Sequence, residues 1–310
     1  MRLPKYLLAA CFVAISGSAF AQVDTQTARD FYERGLLREN AGEFPQALAD
    51  FRKAGELDPS LFDAHFSLSG LHAEMKNYPE AIEALAAALR ARPKDYSALL
   101  NSGSYSERLR KYDDALAFYT QAAAEDADFS HYGDTKEQAR ASAYHYRGRI
   151  YQWHKKDNLQ AVADYTTALR LAPEMRMVQY RRACAYHDLK EFDKAHQDFT
   201  AAYRLDPEYA NLLNAFAWQL ATCPDPTCRD GQLALEMATK GGEVETVAAA
   251  YAEFGDFSSA VAYQRRAIRS LDRSPEPDDE QAAERRQSQR ERMLDRLALY
   301  LAERPYRDDQ

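Results

Sequence analysis

The chain has 310 residues, 46% of them apolar, and 48 acidic against 40 basic side chains give a formal net charge of −8. Such a composition is that of an ordinary globular protein with ample material for a continuous core. Charges of both signs scattered along an acidic whole argue against a nucleic-acid or anionic-lipid binder.

The first residues read MRLPKYLLAACFVAISGSAFA. Arg2 and Lys5 make a basic start, Tyr6 to Ile15 is apolar, and Ala19-Phe20-Ala21 puts small residues where a signal peptidase needs them. The pattern predicts a secretory signal peptide over 1–21, too short for a spanning helix, and a mature chain starting at Gln22 in the periplasm or outside the cell. Losing Arg2 and Lys5 takes the net charge from −8 to −10. A competing reading takes Leu8-Ala9-Ala10-Cys11 as a lipobox, with Cys11 the lipidated first residue of an outer-membrane-anchored protein. No later stretch approaches the ~18 apolar residues of a transmembrane helix.

Beyond the leader, a buried-type alanine keeps returning: Ala47, Ala81, Ala115, Ala161, Ala195, Ala234 and Ala260, at spacings of 34, 34, 46, 34, 39 and 26 residues. A period in this range marks a solenoid, whose units bury their apolar faces by stacking on neighbours. The units fall at about 28–61, 62–95, 96–129, 141–175, 176–209, 210–240 and 241–274, together a solenoid over 22–274, with an insertion at 130–140. Each carries two stretches of apolar residues at i, i+3, i+4 and i+7, the spacing of a helix. A step such as Gly42-Glu43-Phe44, Asn77-Tyr78 or Lys111-Tyr112 separates the two, and Pro59 and Pro93 close the second.

Within each unit the first helix has a small residue near its middle: Gly35, Ser69, Gly103, Gly148, Ala183, Ala217 and Ala248. The second helix has small residues at the alanines above and at Ala54, Ala88, Ala122, Ala168, Ala202 and Ala267, with Phe51, Leu85, Tyr119, Tyr165 and Phe199 between them. Small residues allow close helix approach while the large ones fill the space beside them. This pattern resembles the tetratricopeptide repeat (TPR). The resemblance implies an all-α, right-handed superhelical solenoid of α-α repeats, and the segment 275–310 supplies a C-terminal capping helix, from about Asp278 to Glu303, and tail.

The sixth unit departs from the pattern, with Thr222-Cys223-Pro224-Asp225-Pro226-Thr227-Cys228 between its helices. In an oxidising compartment Cys223 and Cys228 are candidates for a disulfide, with two free thiols as the alternative. Cys184 reads as a small packing residue. His65 and His72 share a helix face, but other units fill those places with packing residues such as Phe31 and Leu99. No Gly-rich phosphate loop, GxSxG, HExxH or CxxC occurs, so no catalytic, metal or cofactor-binding residue is assigned.

In TPR proteins the first helix of each unit lines a concave groove that receives a peptide or helix of a protein partner. By that resemblance Tyr32, Phe66, Arg149, Trp153, Tyr180, His187, Asn214 and Trp218 face the groove, a set holding both tryptophans of the chain. Trp and Arg are frequent interface anchors, although each tryptophan could equally pack between units. The places of the family's two-carboxylate clamp hold Tyr32, Leu36, Phe66 and Gly70, so apolar and aromatic contacts are expected to dominate. The reading that results is a non-catalytic scaffold for protein–protein contacts, the anchored assembly factor being the second and a hydrolase the remotest.

Overall fold

The computed structural model describes residues 27–130, 135–277 and 279–308. The leader 1–21, Cys11 and the cleavage point before Gln22 lie outside the described residues. The chain forms two compact units that divide between Ile150 and Tyr151.

The first unit holds α1 (27–40), α2 (Phe44–Leu57), α3 (Phe62–Glu74), α4 (Tyr78–Ala91), α5 (Tyr96–Arg108), α6 (Tyr112–Ala122) and α7 (Lys136–Ile150). Helices adjacent in sequence pack on one another from α2 onward. The small-against-large pattern is what sets their separation. A Cβ added to Gly35 would sit 2.5 Å from the ring of Phe51, and one added to Gly103 would sit 2.5 Å from the ring of Tyr119. Ala47, Ala81 and Ala115, which carry the period, are completely buried, as are Phe51, Leu85 and Tyr119. The step between paired helices turns on a residue in the left-handed region: Gly42 (φ 76°), Lys76 (φ 62°) and Arg110 (φ 59°). Only glycine adopts that conformation without a steric cost of about 1–2 kcal/mol.

Of the stretch 130–140, which the sequence sets apart as an insertion, residues 136–140 form the start of α7, and 131–134 lie outside the described residues. A reciprocal cap starts that helix. The Gln138 amide donates to Thr135 Oγ1 (3.2 Å), and the Thr135 amide donates to Gln138 Oε1 (3.1 Å). Tyr96 Oη then donates to the Ala139 carbonyl at 2.7 Å, which fixes the early part of α7 against α5.

The second unit opens with a π-turn, Tyr151–Lys155. It continues with α8 (Asn158–Leu171), α9 (Arg176–Asp188), α10 (Phe192–Leu205), α11 (Ala210–Thr222), a short 3₁₀ turn (Pro226–Cys228), α12 (Gly231–Gly241), α13 (Val244–Phe254), α14 (Phe257–Asp272) and α15 (Glu280–Leu301). Its largest core cluster centres on Phe199, Leu212, Leu213, Phe216, Leu220 and Met237. α15 begins where the Asp279 carboxylate accepts the Ala282 amide (2.6 Å). Its polar first half stays largely exposed, whereas Met293 and Tyr300 are buried. Tyr300 packs with Ala248, Ala252 and Ala260, and Met293 with Ala267 and Ile268, so α15 covers α13 and α14.

After Leu301 the chain reverses through Glu303, whose φ is +52°. The Arg304 amide donates to the Leu299 carbonyl (2.9 Å), closing the helix end. Pro305 cannot extend a helix, so residues 304–308 run on without regular structure.

Candidate functional site

Segment 304–308 lies over one face of the second unit, beside the C-terminal end of α11. Trp218 and Thr222 are one helical turn apart there and therefore share a face. Three side chains converge on one oxygen, Oδ2 of Asp308. Trp218 Nε1 donates to it at 2.9 Å and Thr222 Oγ1 at 2.6 Å, while His187 Nε2 lies 3.1 Å away. Burial alone would raise the Asp308 carboxyl, but the contacts of His187, Thr222 and Trp218 outweigh it and hold the group below the ordinary carboxylate range.

The rest of the segment is held as specifically. The Asp308 amide donates to the Thr222 carbonyl (3.1 Å), and Arg307 donates to the Ala221 carbonyl (3.2 Å). Both carbonyls belong to the last turn of α11, where no intrahelical donor remains to pair them. Arg307 also pairs with Glu253 (2.7 Å), whose other oxygen pairs with Arg229 (3.1 Å). The Tyr306 ring lies 6.0 Å from that of Trp218, and the Arg296 guanidinium stands over both, 5.3 Å from Trp218 and 5.5 Å from Tyr306. Arg296 is itself fixed by an ion pair with Glu245.

Alongside runs a cavity of about 420 Å³ whose wall includes Tyr180, Cys184, His187, Asn214, Trp218 and Glu243. Thus four of the residues that the resemblance assigned to a groove line a single space. Their present partners differ. Tyr180 packs edge-on to Tyr209 (5.7 Å), and burial raises its hydroxyl. Asn214 works as a clasp: its Nδ2 donates to the Gly241 carbonyl (3.0 Å) and its Oδ1 accepts the Glu243 amide (3.2 Å), holding the turn between α12 and α13. Burial also raises the carboxyls of Asp188 and Glu243, the latter further through Glu245 nearby.

The remaining predicted groove residues lie elsewhere. Trp153, on the π-turn, is 47% exposed and carries the Arg181 guanidinium 4.3 Å over its ring. Tyr32, Phe66 and Arg149 belong to the first unit. Tyr32 packs on Phe51 (5.8 Å) and Phe66 stacks on Phe62 (5.4 Å). Arg149 pairs with Glu107 (2.5 Å).

Cys223 and Cys228, the disulfide candidates, lie side by side with unbonded sulfurs, and Cys184 is likewise unbonded. The two sulfurs are neighbours, and Cys228 donates to Asp193 Oδ1 at 3.4 Å. Burial pushes the Cys228 thiol up to about 12, assisted by Cys223 and by the bond to Asp193.

The helical period offered no signal for Thr222, Glu253, Arg296, Tyr306, Arg307 or Asp308. Asp308 lies 86 residues from Thr222 and 90 from Trp218 in sequence, so no local pattern links them.

Models of the tetratricopeptide repeat match residues 32–94, 71–128, 141–175 and 177–209, together more than half of the chain. No curated protein matches. Among solved structures, Pseudomonas aeruginosa pilF is similar at 20% identity and TM-score 0.50, covering 86% of this chain and 99% of that one. A tetratricopeptide repeat protein from Parabacteroides merdae is similar at 16% identity and TM-score 0.52, covering 89% and 99%. YrrB, described as a TPR protein with an unusual peptide-binding site, is similar at 20% identity and TM-score 0.51, covering 64% and 97%. At these identities the likeness is one of fold.

Proposed function

We propose that this chain, which belongs to the tetratricopeptide-repeat family, is a non-catalytic scaffold that binds partner proteins in the bacterial periplasm, with the face formed by Trp218, Thr222 and His187 as its binding surface. The observation that carries this reading is that this face already holds a non-helical segment, 304–308, through both backbone and side-chain contacts. A surface that pairs helix-end carbonyls and aromatic rings with a stretch of chain outside its own helices has the chemistry of a peptide-binding groove. The basic, apolar and small-residue order of positions 1–21 supports export.

The test has two parts. Intact mass of the exported protein reads the start: Gln22 supports the periplasmic scaffold, and a diacylated Cys11 replaces it with the anchored form. Crosslinking capture from the native envelope then compares wild type with a Trp218→Ala variant of unchanged helical circular dichroism. A partner lost with the variant supports the reading, and a partner retained equally by both refutes the assigned surface.

A further inference from the structure

Segment 304–308 can be read as a ligand. Tyr306 supplies an aromatic ring to Trp218, Arg307 a cation to Glu253, and Asp308 a carboxylate to the donors of Trp218 and Thr222, with His187 Nε2 3.1 Å away. The receiving side chains sit on three different helices, α9, α11 and α13, and the segment also pairs the Ala221 and Thr222 carbonyls at the end of α11. Arg296 lies between the segment and the body: it is 8% exposed and stacks on both Trp218 and Tyr306. The partners of Asp308 form a donor set for one carboxylate oxygen, and charge-assisted bonds of that kind are the stronger and more directional ones.

We infer that this face is a recognition site for a non-helical aromatic–basic–acidic peptide segment, and that residues 304–308 occupy it as an internal competitor which a partner must displace. The inference rests on the peptide-binding reading above and names the ligand chemistry of that same site. It also accounts for the left-handed Glu303 and for Pro305. Together they turn the chain out of α15 and keep it out of helix beside the end of α11. An internal competitor reduces apparent affinity in proportion to the fraction of molecules in which it is undocked, so a segment docked in about 99% of molecules weakens a partner's binding roughly 100-fold.

The test uses the full chain and, as probe, a fluorescein-labelled, amidated peptide of residues Ala302 to Asp308, read by fluorescence anisotropy. Three proteins are compared: wild type, Tyr306→Ala/Asp308→Ala, and the latter carrying Trp218→Phe and Thr222→Val in addition. All must retain wild-type helical circular dichroism. The expected result is binding at least tenfold tighter to the Tyr306→Ala/Asp308→Ala protein than to wild type, and a further loss of at least tenfold on adding the site substitutions. Equal binding by wild type and the Tyr306→Ala/Asp308→Ala protein would overturn the competitor role. Equal binding with and without Trp218 and Thr222 would overturn the site, as would no binding by any of the three up to about 1 mM, the effective concentration of a short tether.

A second measurement is independent of the probe. Tryptic cleavage after Arg307 is expected to be at least tenfold slower in wild type than in Tyr306→Ala, because Arg307 is held by Glu253 and the Ala221 carbonyl. Equal cleavage rates would show the segment undocked in solution and overturn the inference. A wild-type dimer that becomes monomeric with Asp308→Ala would place the segment on a second copy and overturn the internal arrangement. Peptide binding that behaves as expected while envelope capture finds no partner would sustain this site and count against the scaffold alone.

Discussion

Two glycines of the first unit should respond to the same substitution with opposite signs. Gly103 lies inside α5, where a Cβ would come 2.5, 2.7 and 3.0 Å from Cε1, Cδ1 and Cζ of Tyr119. That ring cannot retreat easily: it is completely buried, lies 5.6 Å from the Tyr146 ring, and donates its hydroxyl to Glu107 at 3.3 Å. Overpacking of this sort costs about 1–3 kcal/mol, while replacing a mid-helix glycine by alanine returns about 1 kcal/mol. Gly103→Ala should therefore destabilise by about 1–2 kcal/mol, the upper part of that balance, because the tyrosine is held on several sides. Gly70 lies in α3 with nothing within 4 Å of its added Cβ, so Gly70→Ala should stabilise by about 0.5–1 kcal/mol. Urea titrations followed by helical circular dichroism measure both, with hydrogen exchange of α5 and α3 assigning the change to the first unit. Tyr119→Leu should relieve the clash, so Gly103→Ala should cost less in that background. The reasoning fails if Gly103→Ala is neutral or stabilising in the wild-type background, or if the double-mutant cycle finds no coupling.

Three further outcomes follow from other parts of the molecule. Lys76, Arg110 and Lys190 hold positive φ at interhelix steps where the chain elsewhere uses Gly42 and Gly255; each change to glycine should raise stability by about 0.5–1 kcal/mol, and a lower urea midpoint would contradict it. Cys184 and Cys228 are both pushed up to about 12, chiefly by burial, so iodoacetamide at pH 7 should label them far more slowly in the native protein than in urea. A native mass lighter by two hydrogens would instead reveal the Cys223–Cys228 bridge. The docked Asp308 carboxyl lies below its ordinary value, so docking is fully supported above the undocked value of about 3.9 and is lost as the pH falls through the lower, docked one. Trp218 fluorescence in a Trp153→Phe background should report that loss, and Asp308→Asn should abolish its pH dependence.

The all-α repeat architecture was legible because its determinants are local. Ala47, Ala81 and Ala115 recur at a fixed interval on helices whose apolar spacing is itself a local property, and the structure buries all three completely. The start of α7 was equally local, in Thr135 and Gln138, yet was obscured because the stretch before Ala141 breaks the period. Among the candidate site residues, Tyr180, His187, Asn214 and Trp218 could be placed on first helices by their position in the repeat. What each touches could not, since Asn214 clasps a turn and Trp218 meets a segment 90 residues away.

The sequence by itself thus determined the helical pairs and their small-against-large packing, because residues three, four and seven apart meet on a helix face whatever surrounds the helix. Tertiary structure alone decided which glycine is crowded, that Cys223 and Cys228 stand next to each other, and that Tyr306, Arg307 and Asp308 cover Trp218. Those outcomes depend on where α11, α13 and α15 carry side chains in space, and a polar segment after a last helix has the same composition whether it meets solvent or a waiting set of donors.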